Sequence, residues 1–220
     1  MSEVVIFGTG DYARIASVYL TEDSPHEVVA FTVDEEHLGA ERLLDREVVP
    51  FGEMLDRYPP DRCELLVAVG YTRINKARAE IFERCKELGY GCVSYVSSRA
   101  TLTGEVEVGE NSFVFDENTL QPFVRVGDNC VLWSGNHIGH DSTIGDHCFL
   151  TSHVVVSGNC TIGDYCFLGV NATLRDGLTV ADECVIGAGA TLLEDAEKGA
   201  VYPGRGAEAI PKKSWELRGL

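Results

Sequence analysis

Four of the six histidines in this 220-residue chain lie within one short stretch, N-H-I-G-H-D-S-T-I-G-D-H-C-F-L-T-S-H at residues 136–153. A neutral imidazole accepts a proton near physiological pH, so a histidine beside an attacking amine or hydroxyl can act as a general base. His140 is followed directly by Asp141, and a carboxylate hydrogen-bonded to an imidazole orients the ring and stabilises its protonated form. The stretch therefore predicts base catalysis at His140 and Asp141. Surface histidines on polar corners, with no catalytic role, remain the alternative.

The elements that position these side chains follow from a repeat of eighteen residues. I-G-D-H-C-F-L at 144–150 returns as I-G-D-Y-C-F-L at 162–168, and every sixth residue from Val108 to Leu192 is aliphatic. A helix would place apolar residues three and four apart, whereas a period of six is typical of a three-sided β coil with one inward aliphatic residue per face. His140 falls between two inward positions, so it is expected outside the core, near a corner.

The first hundred residues follow a different pattern, in which continuous apolar runs alternate with helical segments. V-V-I-F leads through a glycine turn into a predicted helix, and further strands are predicted at E-V-V-A-F-T-V and C-E-L-L-V-A-V. This alternation predicts a parallel sheet covered on both faces. We therefore expect two domains: an α/β Rossmann-like half domain at residues 1–98 and an all-β parallel coil at residues 99–220.

The turn G-T-G-D-Y-A at residues 8–13 fits the G-x-G-x-x-G/A pattern that brings a phosphate to a helix N-terminus. Asp34 ends the next predicted strand, where ribose or base recognition would occur. About 95 residues supply little more than one mononucleotide-binding half, which favours a nucleoside diphosphate over NAD. Asp11 in the turn repels phosphate, and a turn that only connects strand to helix remains the alternative.

Composition and charge narrow the class of partner. A net charge of −17 argues against nucleic-acid binding, which needs a basic surface. No apolar run is long enough to span a membrane, and M-S-E-V-V-I-F-G-T-G lacks the charged region of a signal peptide. Eight cysteines without C-x-x-C spacing predict free, mostly buried thiols in the cytoplasm and argue against a cysteine zinc site. Four of them share one phase of the eighteen-residue period and are expected to stack as a column: Cys130, Cys148, Cys166 and Cys184.

The repeats, with I-G-H-D-S-T-I-G in register and Y-V-S-S-R-A joining the two parts, carry a family resemblance. They resemble the left-handed parallel β-helix of the hexapeptide-repeat acyltransferases. Over essentially residues 3–205, the chain is similar to the sialic-acid O-acetyltransferase branch, which includes N-acetyltransferases of UDP-linked 4-amino sugars. The resemblance implies an acetyl-CoA-dependent N-acetyltransferase that acts on a nucleotide-linked amino sugar, a precursor of cell-surface glycans. It also implies a homotrimer with acetyl-CoA between subunits, no metal and no membrane insertion.

The resemblance assigns roles to single residues. His140 and Asp141 correspond to the family's base and to the acid after it, often a glutamate, and Gly158 corresponds to the glycine whose N–H binds the oxyanion. Acetyl-CoA contacts are implied at Phe149, His153, Gly158, Val170, Ala188 and Arg205. Nucleotide-sugar contacts are implied at Thr9, Gly10, Asp11, Asp34, Glu35 and Gly70.

The chain departs from the family pattern at three places. Phe149 stands where the family has a second histidine near the thioester, and His153 is the candidate to replace it. The turn G-T-G-D-Y-A differs from the usual G-x-S-G-H-G. In the tail V-Y-P-G-R-G-A-E-A-I-P-K-K, glycine and glutamate replace the family's proline and lysine, and Arg205 with the two following lysines, Lys212 and Lys213, is a candidate to meet the CoA phosphates.

Three other functions remain open at this stage. The same fold could acetylate a sugar hydroxyl instead of an amine. The γ-type carbonic anhydrases, which are also left-handed β-helices, bind zinc through histidines from neighbouring subunits, and imidazole is a common zinc ligand. A non-catalytic nucleotide-binding scaffold, in which the coil serves only assembly, is the third. A metal assay would test the anhydrase hypothesis, and release of CoA would test the scaffold hypothesis.

Overall fold

An N-terminal α/β unit opens the computed structural model, which describes residues 2–209 and 211–216. Its elements are β1 (Glu3–Phe7), α1 (Asp11–Asp23), β2 (Glu27–Val33), β3 (Arg42–Leu43), β4 (Arg46–Pro50), α2 (Met54–Arg57), β5 (Cys63–Val67) and α3 (Lys76–Glu87). The sheet order is β3-β4-β2-β1-β5, and the strands run parallel apart from β3, which pairs antiparallel with β4. Because β2 and β5 lie on opposite sides of β1, the carboxyl end of β1 is a topological switch point, where α/β folds bind ligands.

The predicted strands β1, β2 and β5 are present, and their apolar runs fill the sheet's core. The hairpin of β3 and β4 was not predicted. β3 has two residues and forms the edge of the sheet, β4 has five and begins with Arg46 and Glu47, and the turn between them places Leu44 and Asp45 at positive φ (47° and 61°). A short, charged strand is typical of a sheet edge, where it prevents pairing with another chain. The hairpin therefore lacks the continuous apolar run that made the central strands predictable.

In the described part of the chain, eighteen short strands then build the coil. They are β6 (Tyr95–Val96), β7 (Thr101–Leu102), β8 (Val106–Val108), β9 (Phe113–Val114), β10 (Thr119–Leu120), β11 (Val124–Val126), β12 (Val131–Leu132), β13 (His137–Ile138), β14 (Thr143–Ile144), β15 (Phe149–Leu150), β16 (Val155–Val156), β17 (Thr161–Ile162), β18 (Phe167–Leu168), β19 (Thr173–Leu174), β20 (Thr179–Val180), β21 (Val185–Ile186), β22 (Thr191–Leu192) and β23 (Val201–Tyr202).

These strands stack into three parallel sheets, which form the faces of a left-handed β-helix. Face 1 holds β6, β9, β12, β15, β18, β21 and β23; face 2 holds β7, β10, β13, β16, β19 and β22; face 3 holds β8, β11, β14, β17 and β20. Leu132 pairs with Leu150 and Ile144 with Ile162, so the register is the eighteen-residue period of the sequence. The predicted fold class is confirmed, and the coil begins at β6, shortly before residue 99.

The aliphatic ladder fills the inside of the coil. Of its fifteen positions, fourteen are buried and Val108 is partly buried at the open end. Burial of one such side chain contributes roughly 1.5–3 kcal/mol, so the ladder supplies much of the coil's stability. The four cysteines of the column lie in the same core, and all eight cysteines of the chain are free and buried.

The α/β unit packs on face 1 of the coil. Phe113, Val131 and Phe149 point outward from this face and join one apolar cluster with Tyr12 and Tyr95. Face 1 is thereby covered from β9 to β18, whereas the corner between faces 2 and 3 lies on the opposite side of the coil. Within the described residues, no helix has the length and apolar character that a membrane span requires.

Candidate active site

His140 and Asp141 occupy the corner between faces 2 and 3, immediately after β13. Asp141 adopts a left-handed conformation (φ 56°), which aspartate tolerates better than most residues. This turn places the two adjacent side chains on the same side of the backbone, and His140 Nδ1 lies 2.8 Å from Asp141 Oδ2. Both side chains are about half exposed (55% and 51%). The imidazole is thus held by its Nδ1, with the rest of the ring accessible from outside the coil.

Gly158 lies one coil further along, directly beside the free edge of this ring. A Cβ added at Gly158 would lie 2.7 Å from His140 Nε2, so only glycine leaves room for the imidazole in this position. The Gly158 N–H, expected to bind an oxyanion, donates a hydrogen bond to Asp176 Oδ1 at 3.2 Å. The structure therefore brings His140, Asp141 and Gly158 together and adds a carboxylate, Asp176, that was not among the predicted site residues.

The other histidines of the stretch lie elsewhere on the coil. His153 is on the corner between faces 1 and 2, where its ring covers Gly135. His147 is on the corner between faces 3 and 1, 8% exposed, with its Nδ1 2.9 Å from Asn129 Nδ2 and its ring against Tyr165. Burial lowers the pKa of His147, and the nearby Asp146 carboxylate opposes this shift. His147 is therefore a neutral, structural side chain at the contact with the α/β unit.

A cavity of about 480 Å³ opens at the carboxyl ends of β1, β2 and β5. Five of the six predicted nucleotide-sugar residues line it: Thr9, Gly10, Asp11, Asp34 and Gly70. The sixth, Glu35, lines a neighbouring surface depression together with Asp34. Helix α1 begins at this cavity without a side-chain cap, so its first N–H groups are available to an anion.

Gly8 determines the shape of this cavity, and the Asp34 carboxylate provides a fixed hydrogen-bond acceptor at its rim. Gly8 has a φ of 126°, and a Cβ there would lie 2.6 Å from the Ala68 carbonyl oxygen, so only glycine allows this close approach of β1 and β5. Arg84 Nη2 donates to both Asp34 carboxylate oxygens at 2.8 and 3.0 Å. Asp34 is thus held at the rim of the cavity, where it can accept hydrogen bonds from a ligand.

The residues implied for acetyl-CoA do not form a single group in one subunit. Val170 and Ala188 are exposed on successive levels of the corner between faces 1 and 2, which His153 shares. Arg205 is exposed beside a depression formed by residues 189–192, 202 and 203. Phe149 is 3% exposed and lies beneath the α/β unit, with the Tyr71 ring 5.1 Å away. Face 2 separates the first corner from His140 and Gly158.

Cys148, within the histidine-rich stretch, is a chemically unreactive thiol. Burial raises the pKa of Cys148 well above its ordinary value, so this thiol stays protonated and a poor nucleophile. Its Sγ donates to the Gly163 carbonyl at 3.1 Å, inside the coil and away from the corner of His140. Across residues 2–209 and 211–216, no three histidine, cysteine or acidic side chains converge in a metal-ligating arrangement.

Comparison with known families adds to this geometry. Residues 123–158 and 159–194 each match the model of the bacterial transferase hexapeptide family, described as six repeats. Together the two matches span residues 123–194 of the coil. Comparison with curated protein sequences finds no significant match.

Solved structures share the fold of the coil and the α/β unit together, over about nine-tenths of this chain. The acetyltransferase domain of PglB from Neisseria gonorrhoeae superposes with a TM-score of 0.79 at 20% identity, covering 91% of this chain and 96% of that one. The same domain in complex with acetyl coenzyme A gives 0.78 at 20% identity, with 90% and 94% covered. PerB from Caulobacter crescentus, in complex with CoA and GDP-perosamine, gives 0.79 at 23% identity, with 91% and 93% covered. The chain thus has the fold of CoA-dependent acetyltransferases.

The sequence did not point to several residues at the corner of His140, at the cavity and at the contact between the α/β unit and the coil. Asp176 lies 36 residues after His140, which is two periods, so the repeat itself placed it on the same corner. Thr72 and His37 line the cavity, but no local motif marks them. Arg78 is fully buried between the two parts of the chain, and its helical position alone indicated only a charged surface residue.

Proposed function

We propose that the protein transfers the acetyl group of acetyl-CoA to the amino group of a nucleotide-linked sugar. The observation that carries this proposal is the His140–Asp141 pair above Gly158, on a hexapeptide coil joined to an α/β unit with a nucleotide-sized cavity. Residues 1–98 would hold the nucleotide and residues 99–220 would perform the transfer. The eight free, buried thiols support a reducing, cytoplasmic setting.

His140 is the general base in this proposal. Its Nε2 takes a proton from the acceptor nitrogen as the nitrogen attacks the thioester carbonyl, while Asp141 holds Nδ1 and stabilises the imidazolium. The C–N bond forms, the carbonyl electrons move to oxygen, and the C–S bond then breaks. CoA leaves as a thiolate, which takes the proton from the imidazolium. A backbone donor such as the Gly158 N–H, placed at the oxyanion, typically increases kcat by about 10²–10³-fold.

The placement of the parts supports a site shared between subunits. The cavity opens in the α/β unit, which covers face 1, whereas His140 lies on the opposite corner of the same coil. Val170 and Ala188 lie on a third line, along the corner between faces 1 and 2. We propose that a homotrimer joins them, so that the sugar held by one subunit reaches His140 of its neighbour and acetyl-CoA lies in the cleft between two coils.

The experiment is a screen of acceptors. Purified protein is incubated with acetyl-CoA and a panel of UDP-, dTDP- and GDP-linked amino sugars, each paired with the sugar that has a hydroxyl at the same carbon. Released CoA is measured by its thiol, and the products by mass. We expect CoA release and an N-acetylated product with at least one amino sugar. Absence of CoA release above the His140→Asn background across the whole panel would reject the proposal.

A further inference from the structure

Asp176 lies at the same corner as the proposed base, two coils further along. His140, Gly158 and Asp176 are separated by eighteen residues each, so they occupy three successive levels of the corner between faces 2 and 3. Asp176 is exposed, and its Oδ1 accepts the Gly158 N–H hydrogen bond at 3.2 Å. His140 Nε2 overlies the position of the missing Gly158 side chain. Gly158 therefore has the His140 imidazole over its Cα and the Asp176 carboxylate on its N–H.

The same kind of hydrogen bond, from a backbone N–H to an aspartate, also occurs on another corner of the coil. Comparison of the two corners shows which part of the role of Asp176 is structural. On the corner between faces 3 and 1, Asp146 Oδ1 accepts the Asp128 N–H at 2.7 Å and Asp164 Oδ1 accepts the Asp146 N–H at 2.8 Å. There the bond links successive turns of the coil, and the histidine of that corner, His147, is buried and structural. At Asp176 the same kind of bond occupies the Gly158 N–H, the donor that is proposed to bind the oxyanion.

A carboxylate in this position conflicts with oxyanion binding unless a cation draws it away. A negative charge beside the Gly158 N–H occupies the donor and repels the negative oxygen that forms during transfer. Primary amines are largely protonated at neutral pH, so a sugar amine arrives as an ammonium group that needs an anionic acceptor. A hydroxyl acceptor carries no such charge.

We infer, on the basis of the proposed function, that Asp176 binds the ammonium group of the acceptor sugar and thereby selects an amine over a hydroxyl. By turning to the ammonium, the carboxylate releases the Gly158 N–H, which then binds the carbonyl oxygen of the acetyl group. Asp176 is thus a specificity-determining residue whose contact with the substrate also opens the oxyanion donor.

The steps balance in protons and electrons. The bound ammonium first loses one proton to His140, which passes it to solvent. The neutral amine then attacks the thioester, the C–N bond forms and the C–S bond breaks, and the second proton moves from nitrogen through His140 to the CoA thiolate. The sum is ammonium plus acetyl-CoA giving amide, CoA thiol and one released proton.

Asp176→Asn removes the negative charge of this side chain but keeps a hydrogen-bond acceptor, because the amide oxygen can still accept the Gly158 N–H. Asp164→Asn is the matched control, since it makes the same change at the same kind of bond on another corner. At pH 7 we expect Asp176→Asn to raise KM for the amino sugar about 10- to 100-fold, the loss expected for one charge-assisted hydrogen bond. KM for acetyl-CoA should stay within about twofold, and Asp164→Asn should leave both constants unchanged.

The pH dependence supplies a second measurement. At pH 9 a larger share of the amine is neutral, so the KM difference between wild type and Asp176→Asn should shrink. The neighbouring titratable groups at this corner, His140 and Asp141, are the same in both proteins. Equal effects of the two substitutions, or a loss confined to kcat, would overturn the role of Asp176 while leaving the transferase function intact. An inactive wild-type protein across the amino-sugar panel would instead overturn the proposed function itself.

Discussion

At the scale of single residues, His140 is distinguished from the other histidines of the coil by its surroundings. Its Nδ1 is engaged by Asp141, and its other edge lies over Gly158, close to the place where a Cβ would stand. His147 and His153 belong to other corners, where one is buried and the other covers Gly135. The clustering of histidines in the sequence therefore does not produce a cluster in space, because neighbouring corners of the coil point in different directions.

We predict that His140→Asn lowers kcat by about 10²–10⁴-fold, the usual effect of losing a general base. Asparagine keeps hydrogen-bonding capacity but cannot accept a proton near neutral pH, and the side chain lies outside the aliphatic ladder, so fold and CoA affinity should persist. Steady-state kinetics and a CoA-binding titration check both points. His153→Asn is the control and should retain activity. Near wild-type turnover in His140→Asn, together with inactivity of His153→Asn, would show that the base is assigned to the wrong histidine.

A second prediction concerns metal. A histidine that works as a base must keep a ring nitrogen free for the proton, so activity should survive exhaustive dialysis against a chelator. Elemental analysis and a transfer assay before and after dialysis measure this. Stoichiometric zinc that is lost together with activity would favour the carbonic-anhydrase hypothesis instead.

At the scale of elements, Arg78 on α3 ties the α/β unit to the coil. Its guanidinium is fully buried and donates to the carbonyl oxygens of Asn129, His147 and Cys148 on the coil and of Gly70 beside the cavity. Burial lowers the pKa of Arg78, since the charge has left water without a carboxylate partner. The carbonyl groups compensate, and they fix the loop after β5 relative to face 1.

Replacement of this arginine should therefore destabilise the whole protein. Arg78→Met leaves several buried carbonyl groups without donors, each costing about 1–3 kcal/mol, so we expect the free energy of unfolding to fall by at least about 3 kcal/mol. Denaturant titration measures it. Arg73→Met, which removes an exposed pairing with Glu80 on the same segment, should have a much smaller effect. Comparable losses in both variants would contradict the role of Arg78 as a buried tie.

The buried His147, at the same contact, is expected to make the free energy of unfolding depend on pH. Burial lowers its pKa in the folded protein, whereas an unfolded histidine titrates near pH 6.5. The stabilisation is therefore complete above about pH 6.5 and is lost as the pH falls towards the folded pKa, because protonation then favours the unfolded chain. Urea unfolding at pH 7.5 and 5.5 should show that the free energy of unfolding falls less between these pH values in His147→Gln than in wild type. His153→Asn should keep the wild-type drop, and a His147→Gln profile identical to wild type would be inconsistent with this assignment.

At the scale of the whole molecule, the separation of the cavity from His140 within one chain predicts that the protein is an oligomer. The α/β unit covers face 1, and the proposed base sits on the corner opposite that face. An active site that uses both parts must then be completed by a second subunit, and closed rings of identical chains provide such contacts repeatedly. Light scattering should accordingly give the mass of a trimer at micromolar concentration.

Mixed assemblies test the shared site directly. A Cβ at Gly10 meets no atom within 4 Å, so Gly10→Leu fills the cavity without straining the backbone. Co-expressed with the His140→Asn chain, it should yield about a quarter of wild-type activity if cavity and base come from different subunits and chains mix at random. Each variant alone is expected to be nearly inactive. Mixed trimers as inactive as either parent would place the complete site within one chain.

The sequence by itself determined the repeating parts of this protein. A period of six with an aliphatic residue at each sixth position admits few structures other than a three-sided coil, because each inward position must be apolar and each corner must turn. The same period put His140 on a corner and Gly158 and Asp176 on the levels after it. Continuous apolar runs and the glycine turn likewise determined β1, β2 and β5. Of the six nucleotide-sugar residues that the family resemblance implied, five line the cavity.

Tertiary structure decided everything that depends on contacts outside the period. The left-handed turn at Asp141 was needed to bring its carboxylate to His140, since side chains alternate on an extended strand. The docking of the α/β unit on face 1 depends on outward side chains such as Phe113 and on the buried Arg78, whose partners are distant in sequence. That docking placed cavity and base on opposite sides of one chain, because the periodic pattern fixes which residues share a corner but not which face the other domain covers.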